Sequence, residues 1–364
     1  MQRRTFVQSA LGAAVVGPLL ANVQQHKFDA AAKLLETTTA SGQVSGATLY
    51  LRRGKLELAK AFGTAKSVDA MFLLGSISKP ISVAAVMTLV DQWKLRLDDL
   101  AKKYLPEFTA DGRERITIRQ LLTHVSGLPD QLPENQQLRS SQAGLAKFVE
   151  AVVRTPLLFP PGARYEYSSM AILLAAEIAQ RISGTNFLKL VDQTVFEPLG
   201  MKHSAIGLGR FKLDDFMRCQ TEHAAPEAGA GDAQAKQWDW NSPYWRKLGA
   251  PWGGVHASAP DVARFLGEFL RPTGKLLKPE TCRLMVTNHN PEGLTPRGLG
   301  FAVGARSGSP GCSEQCFGHT GSTGTLAWAD PESDTICVVL TTLPARAVDP
   351  HPYRLVSDLV AKKD

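Results

Sequence analysis

Gly75-Ser76-Ile77-Ser78-Lys79 sits at a junction: the residues before it read as strands and those after it as a helix. From Ile77 to Trp93 the apolar side chains recur at steps of three and four (Ile81, Ala84, Ala85, Leu89), which predicts a helix with one buried face. Upstream, Gly46–Leu51 and Leu56–Phe62 flank the turn Arg53-Gly54-Lys55, a hairpin signal, and a helical stretch covers Asp29–Thr38. Downstream, helical and loop patterns run to about residue 290, punctuated by Pro129, Pro160-Pro161-Gly162 and Pro251. Ala224–Lys236, rich in Ala and Gly, reads as a long surface loop. Strand character returns at Leu299–Val303, Gly324–Ala329 and Thr335–Thr342, with a turn at Asp330–Asp334, and a last helix covers Tyr353–Lys362. Strands at both ends with helices between them imply one α/β body. Its sheet is completed by both chain termini and interrupted by a helical insertion, because neither half has a full sheet to fold on. The expected parts are a sheet subdomain at 24–75 and 295–364 and a helical subdomain at 76–294.

The 364 residues are 44% hydrophobic and 21% charged, enough to bury a large core, which excludes disorder, collagen and coiled coil. The net charge of +7 is scattered in pairs such as Arg52-Arg53 and Lys102-Lys103, with no basic run and no nucleic-acid motif, so no nucleic-acid partner is expected. Arg3-Arg4-Thr5-Phe6 precedes an uncharged run from Ala10 to Ala21. That run is too short to span a bilayer, so residues 1–23 read as an export signal of twin-arginine type rather than a membrane anchor. The expected location is therefore periplasmic or extracellular, with the twin-arginine export machinery as a transient partner. Of five cysteines, Cys312 and Cys316 are close enough in sequence to bridge, while Cys282 and Cys337 read as buried free thiols. No ligand set for a metal is seen, and no cofactor is expected.

Ser76 and Lys79 are one helical turn apart and so share a face. A serine at a helix start becomes a nucleophile if a base takes its proton, and a lysine can be that base if burial or positive charge lowers its pKa. The same spacing arises by chance about once in a chain this long, as a helix cap beside a solvated lysine. Two later segments weigh against chance. Pro160-Pro161-Gly162 turns toward Tyr165-Glu166-Tyr167-Ser168-Ser169 at the start of a helical run, and Phe317-Gly318-His319-Thr320-Gly321-Ser322-Thr323-Gly324 opens a strand with glycines that leave room beside the backbone.

In order and context, Ser76-x-x-Lys79, Tyr167-Ser168-Ser169 and His319-Thr320-Gly321 resemble the motifs of the serine β-lactamase and penicillin-binding protein superfamily. The class C-type branch, with family VIII carboxylesterases and D-amino-acid peptidases, is the most similar. Tyr167 follows Ser76 by 91 residues and His319 follows Tyr167 by 152. Ile116–Pro129, containing His124, and Trp252–Asp261, containing His256, also resemble this branch, so the likeness spans residues 25–364. It implies an α+β sandwich with an antiparallel sheet built from both termini, flanking helices and an inserted, mainly α-helical lobe. It further implies attack by Ser76, proton transfer by Lys79 and Tyr167, and an oxyanion hole from the backbone N–H groups of Ser76 and Ser322. Ser169, His319, Thr320 and Gly321 would contact substrate.

Two departures bear on the substrate. The family's second motif ends in Asn, where this chain has Ser169, and its third begins with Lys, where this chain has His319. Both changes weaken capture of an anionic lactam while keeping the nucleophile and its bases. The sequence therefore points to an acyl hydrolase of carboxylesterase type. The alternatives are a D-amino-acid peptidase or amidase, a class C-type β-lactamase, and a non-catalytic binder of peptidoglycan or acyl ligands. The expected partner is a small ester, amide or D-peptide. Trp252 fits either the cleft or the core, and His124 reads as a loop histidine that fixes a turn.

Overall fold

The computed structural model describes residues 10–362, with side chains from residue 22. Arg3 and Arg4 of the expected export signal lie outside the described residues. The helix expected at Asp29–Thr38 is the end of a longer one, α1 (Ala10–Ala40). No helix among the described residues is long and apolar enough to cross a membrane.

Six antiparallel strands form the main sheet in the order β2-β1-β9-β8-β7-β6. They are β1 (Gly46–Arg53), β2 (Leu56–Gly63), β6 (Ala302–Val303), β7 (Phe317–Gly321), β8 (Thr325–Asp330) and β9 (Thr335–Thr341). N-terminal β1 pairs directly with C-terminal β9, Leu49 opposite Val339, so the sheet joins both ends of the chain as the sequence implies. Every residue of β8 and β9 is buried, because helices cover both faces. On one face Leu49, Leu51, Trp328 and Val339 meet Phe28, Ala31 and Leu35 of α1 and Tyr353, Val356 and Val360 of α5 (Pro352–Ala361). On the other, Ala327, Ala329, Ile336 and Val338 join a larger core shared with the helical lobe. Helix α4 (Ala259–Leu270) packs on β8 and β9, although the division read at residue 294 assigns it to the lobe.

At the centre of the lobe α2 (Ser78–Asp91) packs against α3 (Ser169–Ser183). A single buried face was expected of α2; instead every residue from Ser78 to Leu89 is buried, because the lobe and the sheet enclose it. A second sheet, β3-β5-β4 (Phe72–Leu73, Val255–Ala257, Ser204–Ile206), links the two parts. Its strands of two or three residues are too short for any periodicity to announce them. The stretch expected as a surface loop at Ala224–Lys236 is exposed over Ala230–Gln234 but is folded in tight turns, with Ala225 and Ala228 in the larger core and Ala235 also buried. Small side chains there permit close packing of a backbone that has no regular ladder. The five cysteines are free and buried, Cys312 and Cys316 included, so the two do not form a disulfide.

Candidate active site

Strand β3 delivers the chain to a short turn, Gly75–Ile77, that feeds α2. Leu74 N donates to Val255 O at 2.9 Å, and Ser78 Oγ accepts from Val255 N at 3.0 Å, so both sides of the turn are anchored to β5. Gly75 has φ +55°, and a Cβ on it would lie 2.9 Å from Thr323 Oγ1 and 3.2 Å from Ser322 N. A Cβ on Gly321 would lie 2.1 Å from Leu74 O. Glycine at both places lets the β7–β8 turn press against the start of α2, which brings Ser322 beside Ser76. Thr323 and Thr325 fasten this approach by donating to Leu73 O and Leu74 O, each at 2.7 Å.

Lys79 Nζ donates to Ser76 Oγ at 3.0 Å and to Trp252 O at 3.1 Å. The lysine is 1% exposed. Burial pushes its pKa down to about 7, and the Arg297 charge acts in the same direction, while Asp130 opposes both. A lysine so placed is neutral in half the molecules near neutral pH and can then take the Ser76 proton. Its ammonium stands 4.6 Å from the Tyr167 ring centroid. The Tyr167 hydroxyl is buried with no hydrogen-bond partner of good geometry. Burial drives its pKa well up, against smaller opposing effects of Arg297 and the nearby Ser76 hydroxyl.

His124 holds the tyrosine loop. Its Nδ1 accepts from Ser168 N at 3.1 Å, its carbonyl accepts from Glu166 N at 2.9 Å, and its ring lies 4.6 Å from the Tyr167 ring. Ser169 does not simply point into the cleft, since its hydroxyl and backbone N both donate to Asp130 Oδ1, at 2.6 and 2.8 Å. His319 Nε2 accepts from Arg297 Nη2 at 2.6 Å, which leaves Nδ1 to donate to Thr320 O at 2.7 Å. Burial first, then the charges of Arg297 and Lys79, hold His319 well below the usual histidine range, so the ring is neutral. The permanent cation here is Arg297, itself 6% exposed with an unpartnered Nε.

Two chambers meet at Ser76. One, of about 250 Å³, includes Ser76, Tyr167, Ser169 and Ser322 in its lining, and the other, of about 420 Å³, includes Ser76, Tyr167, His319, Thr320, Gly321 and Ser322. All the site residues expected from sequence thus converge, with Lys79 beneath Ser76 and lining neither chamber. Trp252 lines the first chamber. His256 is a core residue: it lies 4.1 Å from the Phe216 ring, and its Nδ1 contacts Gly207 O at 3.0 Å. Sequence reasoning missed Asp130, which directly follows the flagged Ile116–Pro129 stretch, and Arg297, two residues before the strand signal at Leu299–Val303. No pattern distinguished Arg139 or Glu227.

A family model described as Beta-lactamase matches residues 31–361. The chain belongs to the Beta-lactamase family. A Salmonella enteritidis protein provisionally named D-alanyl-D-alanine carboxypeptidase is 26% identical over 348 residues, covering 81% of this chain and 78% of that one. Among solved structures, EstCE1, a hydrolase with promiscuous acyltransferase activity, superposes with a TM-score of 0.74 at 22% identity, over 93% of this chain and 99% of its own. The D-amino acid amidase of Ochrobactrum anthropi gives 0.72 at 20% identity, over 92% and 97%. These likenesses establish the fold, that of the Beta-lactamase-family serine hydrolases, with its mixed α/β sandwich and helical lobe.

Proposed function

We propose that the protein hydrolyses carboxylic esters through an acyl-enzyme on Ser76. The observation that carries this reading is the 3.0 Å contact between Ser76 Oγ and a buried Lys79 whose pKa lies near 7. Neutral Lys79 takes the Ser76 proton as Oγ bonds to the substrate carbonyl carbon. The resulting oxyanion is received by the N–H groups of Ser76 and Ser322. Tyr167, a phenol kept protonated by burial, passes a proton to the departing alcohol and regains one through Lys79. Water then attacks the acyl-enzyme with the same pair as base and releases the acid. Since Lys79 and Tyr167 share the proton, neither is the sole base. The substrate is a small molecule, and Arg3-Arg4 with the apolar run behind it supports export by the twin-arginine route.

The test is the initial rate on 4-nitrophenyl acetate for the protein and its Ser76→Ala variant. A loss of at least about 10³-fold, together with loss of fluorophosphonate labelling, is expected. An unchanged rate and unchanged labelling would remove the proposal.

One observation favours a second substrate class. Arg297 restores beside His319 the cation that the sequence lacks at the third motif, so a leaving group with a carboxylate, as in a D-peptide end, is also accommodated. Arg297→Gln is then expected to lower the ratio of kcat/KM for a D-alanyl-D-alanine peptide over 4-nitrophenyl acetate by about tenfold or more. An unchanged ratio would leave the ester reading alone.

A further inference from the structure

The smaller chamber sets charge beside apolar walls: Arg139, Arg346, Glu227 and Asp130 line it together with Trp240, Trp245 and Trp252. Arg139 lines it and is 1% exposed. Its guanidinium lies 4.1 Å from the Trp245 ring centroid, and Nε donates to Asn135 Oδ1 at 3.2 Å, while Nη1 has no partner. A buried arginine that lacks both a carboxylate and a full set of acceptors is costly unless something else completes it. Burial pulls its pKa down to about 10, and the pull is opposed by Glu227 and, more weakly, Tyr244 and Asp130. Glu227 and Asp130 line the same chamber. Neither carboxylate forms an ion pair among the described residues, and Asp130 Oδ1 accepts only from Ser169. Glu227 reaches this position because the packed turn Pro226–Ala228 holds it there.

Two cations, Arg139 and Arg346, and two carboxylates therefore line a single space beside Ser76, and no ion pair joins them among the described residues. A purely anionic ligand would meet Glu227 and Asp130, a purely cationic one would meet Arg139 and Arg346, and an alkyl chain would leave all four without polar partners. We propose that this chamber receives the acyl part of the substrate and selects one ending in an ammonium beside a carboxylate, the amino-acid head of a peptide-like acyl chain. The carboxylate would reach Arg139 and the ammonium would sit with Glu227 and Asp130. Trp245 and Trp252 would flank the methylenes between that head and the carbonyl attacked by Ser76.

The inference rests on the Ser76 hydrolase reading, and its test separates the two. Methanol release is measured for methyl pentanoate, monomethyl glutarate and the γ-methyl ester of glutamate in each configuration, acyl chains of equal length that differ in end charge. One configuration of γ-methyl glutamate is expected to exceed both other esters at least about tenfold in kcat/KM, through KM. Glu227→Gln, on a half-buried turn, is expected to reduce that preference about tenfold, and Arg139→Lys to reduce it as well. If methyl pentanoate is cleaved as well as γ-methyl glutamate in a Ser76-dependent manner, the dipolar subsite is overturned and the hydrolase stands. If no ester, 4-nitrophenyl acetate included, shows Ser76-dependent turnover, the hydrolase reading falls. Calorimetric binding of D- and L-glutamine against pentanamide then decides the chamber by itself: tighter binding of a glutamine supports it, and equal binding overturns it.

Discussion

Lys79 is the residue at which the chemistry is most exposed to a pH measurement. Its folded-state pKa of about 7 means that the basic form gains population as pH rises through neutrality. The ascending limb of kcat/KM for a neutral ester should therefore have an apparent pKa near 7, a property of the Lys79–Tyr167 pair. A phenolate acting alone would place the limb above 10, since burial raises the Tyr167 pKa. Neighbouring charges supply a signed check. Arg297 lowers the Lys79 pKa and Asp130 raises it. Arg297→Gln should thus move the limb to higher pH and Asp130→Asn to lower pH. Shifts in one common direction, or none, would mean that the titrating group is not Lys79. Ser76, Lys79 and Tyr167 could be read from the sequence because their order and spacing resemble a family pattern. Arg297 could not, because its guanidinium reaches His319 across 22 residues of intervening chain by tertiary packing alone.

At the scale of elements, the site depends on how closely β7 approaches the turn before α2. Gly321 has no room for a side chain: its Cβ would stand 2.1 Å from Leu74 O and 2.2 Å from Thr325 Oγ1, and neither neighbour can retreat without breaking the contact of Thr325 with Leu74. Gly321→Ala is expected to cost about 1–3 kcal/mol of stability and to lower the Ser76-dependent rate by at least about tenfold, as the Ser322 N–H withdraws from the oxyanion position proposed for it. Equilibrium unfolding and initial rates measure the two effects, and wild-type values for both would sink the argument. The sequence made β7 to β9 legible because runs such as Thr335–Thr341 are continuously apolar and bounded by turns. It was silent on β4 and β5 and on the register of all three short strands, which is set by pairing between segments far apart, Leu73 with His256 and Ala205 with His256. Ala224–Lys236 lies at the surface over Ala230–Gln234, as its composition implied, but its turns and the burial of Ala225, Ala228 and Ala235 could not be read, because alanine and glycine carry no hydrophobic period.

At the scale of the whole molecule, the described residues form two hydrophobic clusters divided by the main sheet, and one of them underlies the site. That division was foreseeable in outline, since strands at both ends of the chain require one shared sheet. Which helices cover which face was not, because every buried helix offers an apolar surface and only packing selects its partner; α4, read as part of the 76–294 helical stretch, packs on β8 and β9. The separation has a measurable consequence. Leu35 of α1 is fully buried in the cluster remote from Ser76, and Ile172 of α3, one turn beyond Ser169, is 1% exposed in the cluster beneath it. Leu35→Ala and Ile172→Ala should each lose about 2–5 kcal/mol by removing buried methyl groups and leaving a cavity. Only the second should alter chemistry, since relaxation of α3 displaces Ser168 and Ser169 and with them the loop that carries Tyr167. The expected result is a fluorophosphonate labelling rate at Ser76 that is unchanged in Leu35→Ala and reduced in Ile172→Ala at matched temperature below both unfolding transitions. Equal slowing in the two variants would show that the sheet transmits packing changes from one cluster to the other and that the site is not insulated from the terminal helices.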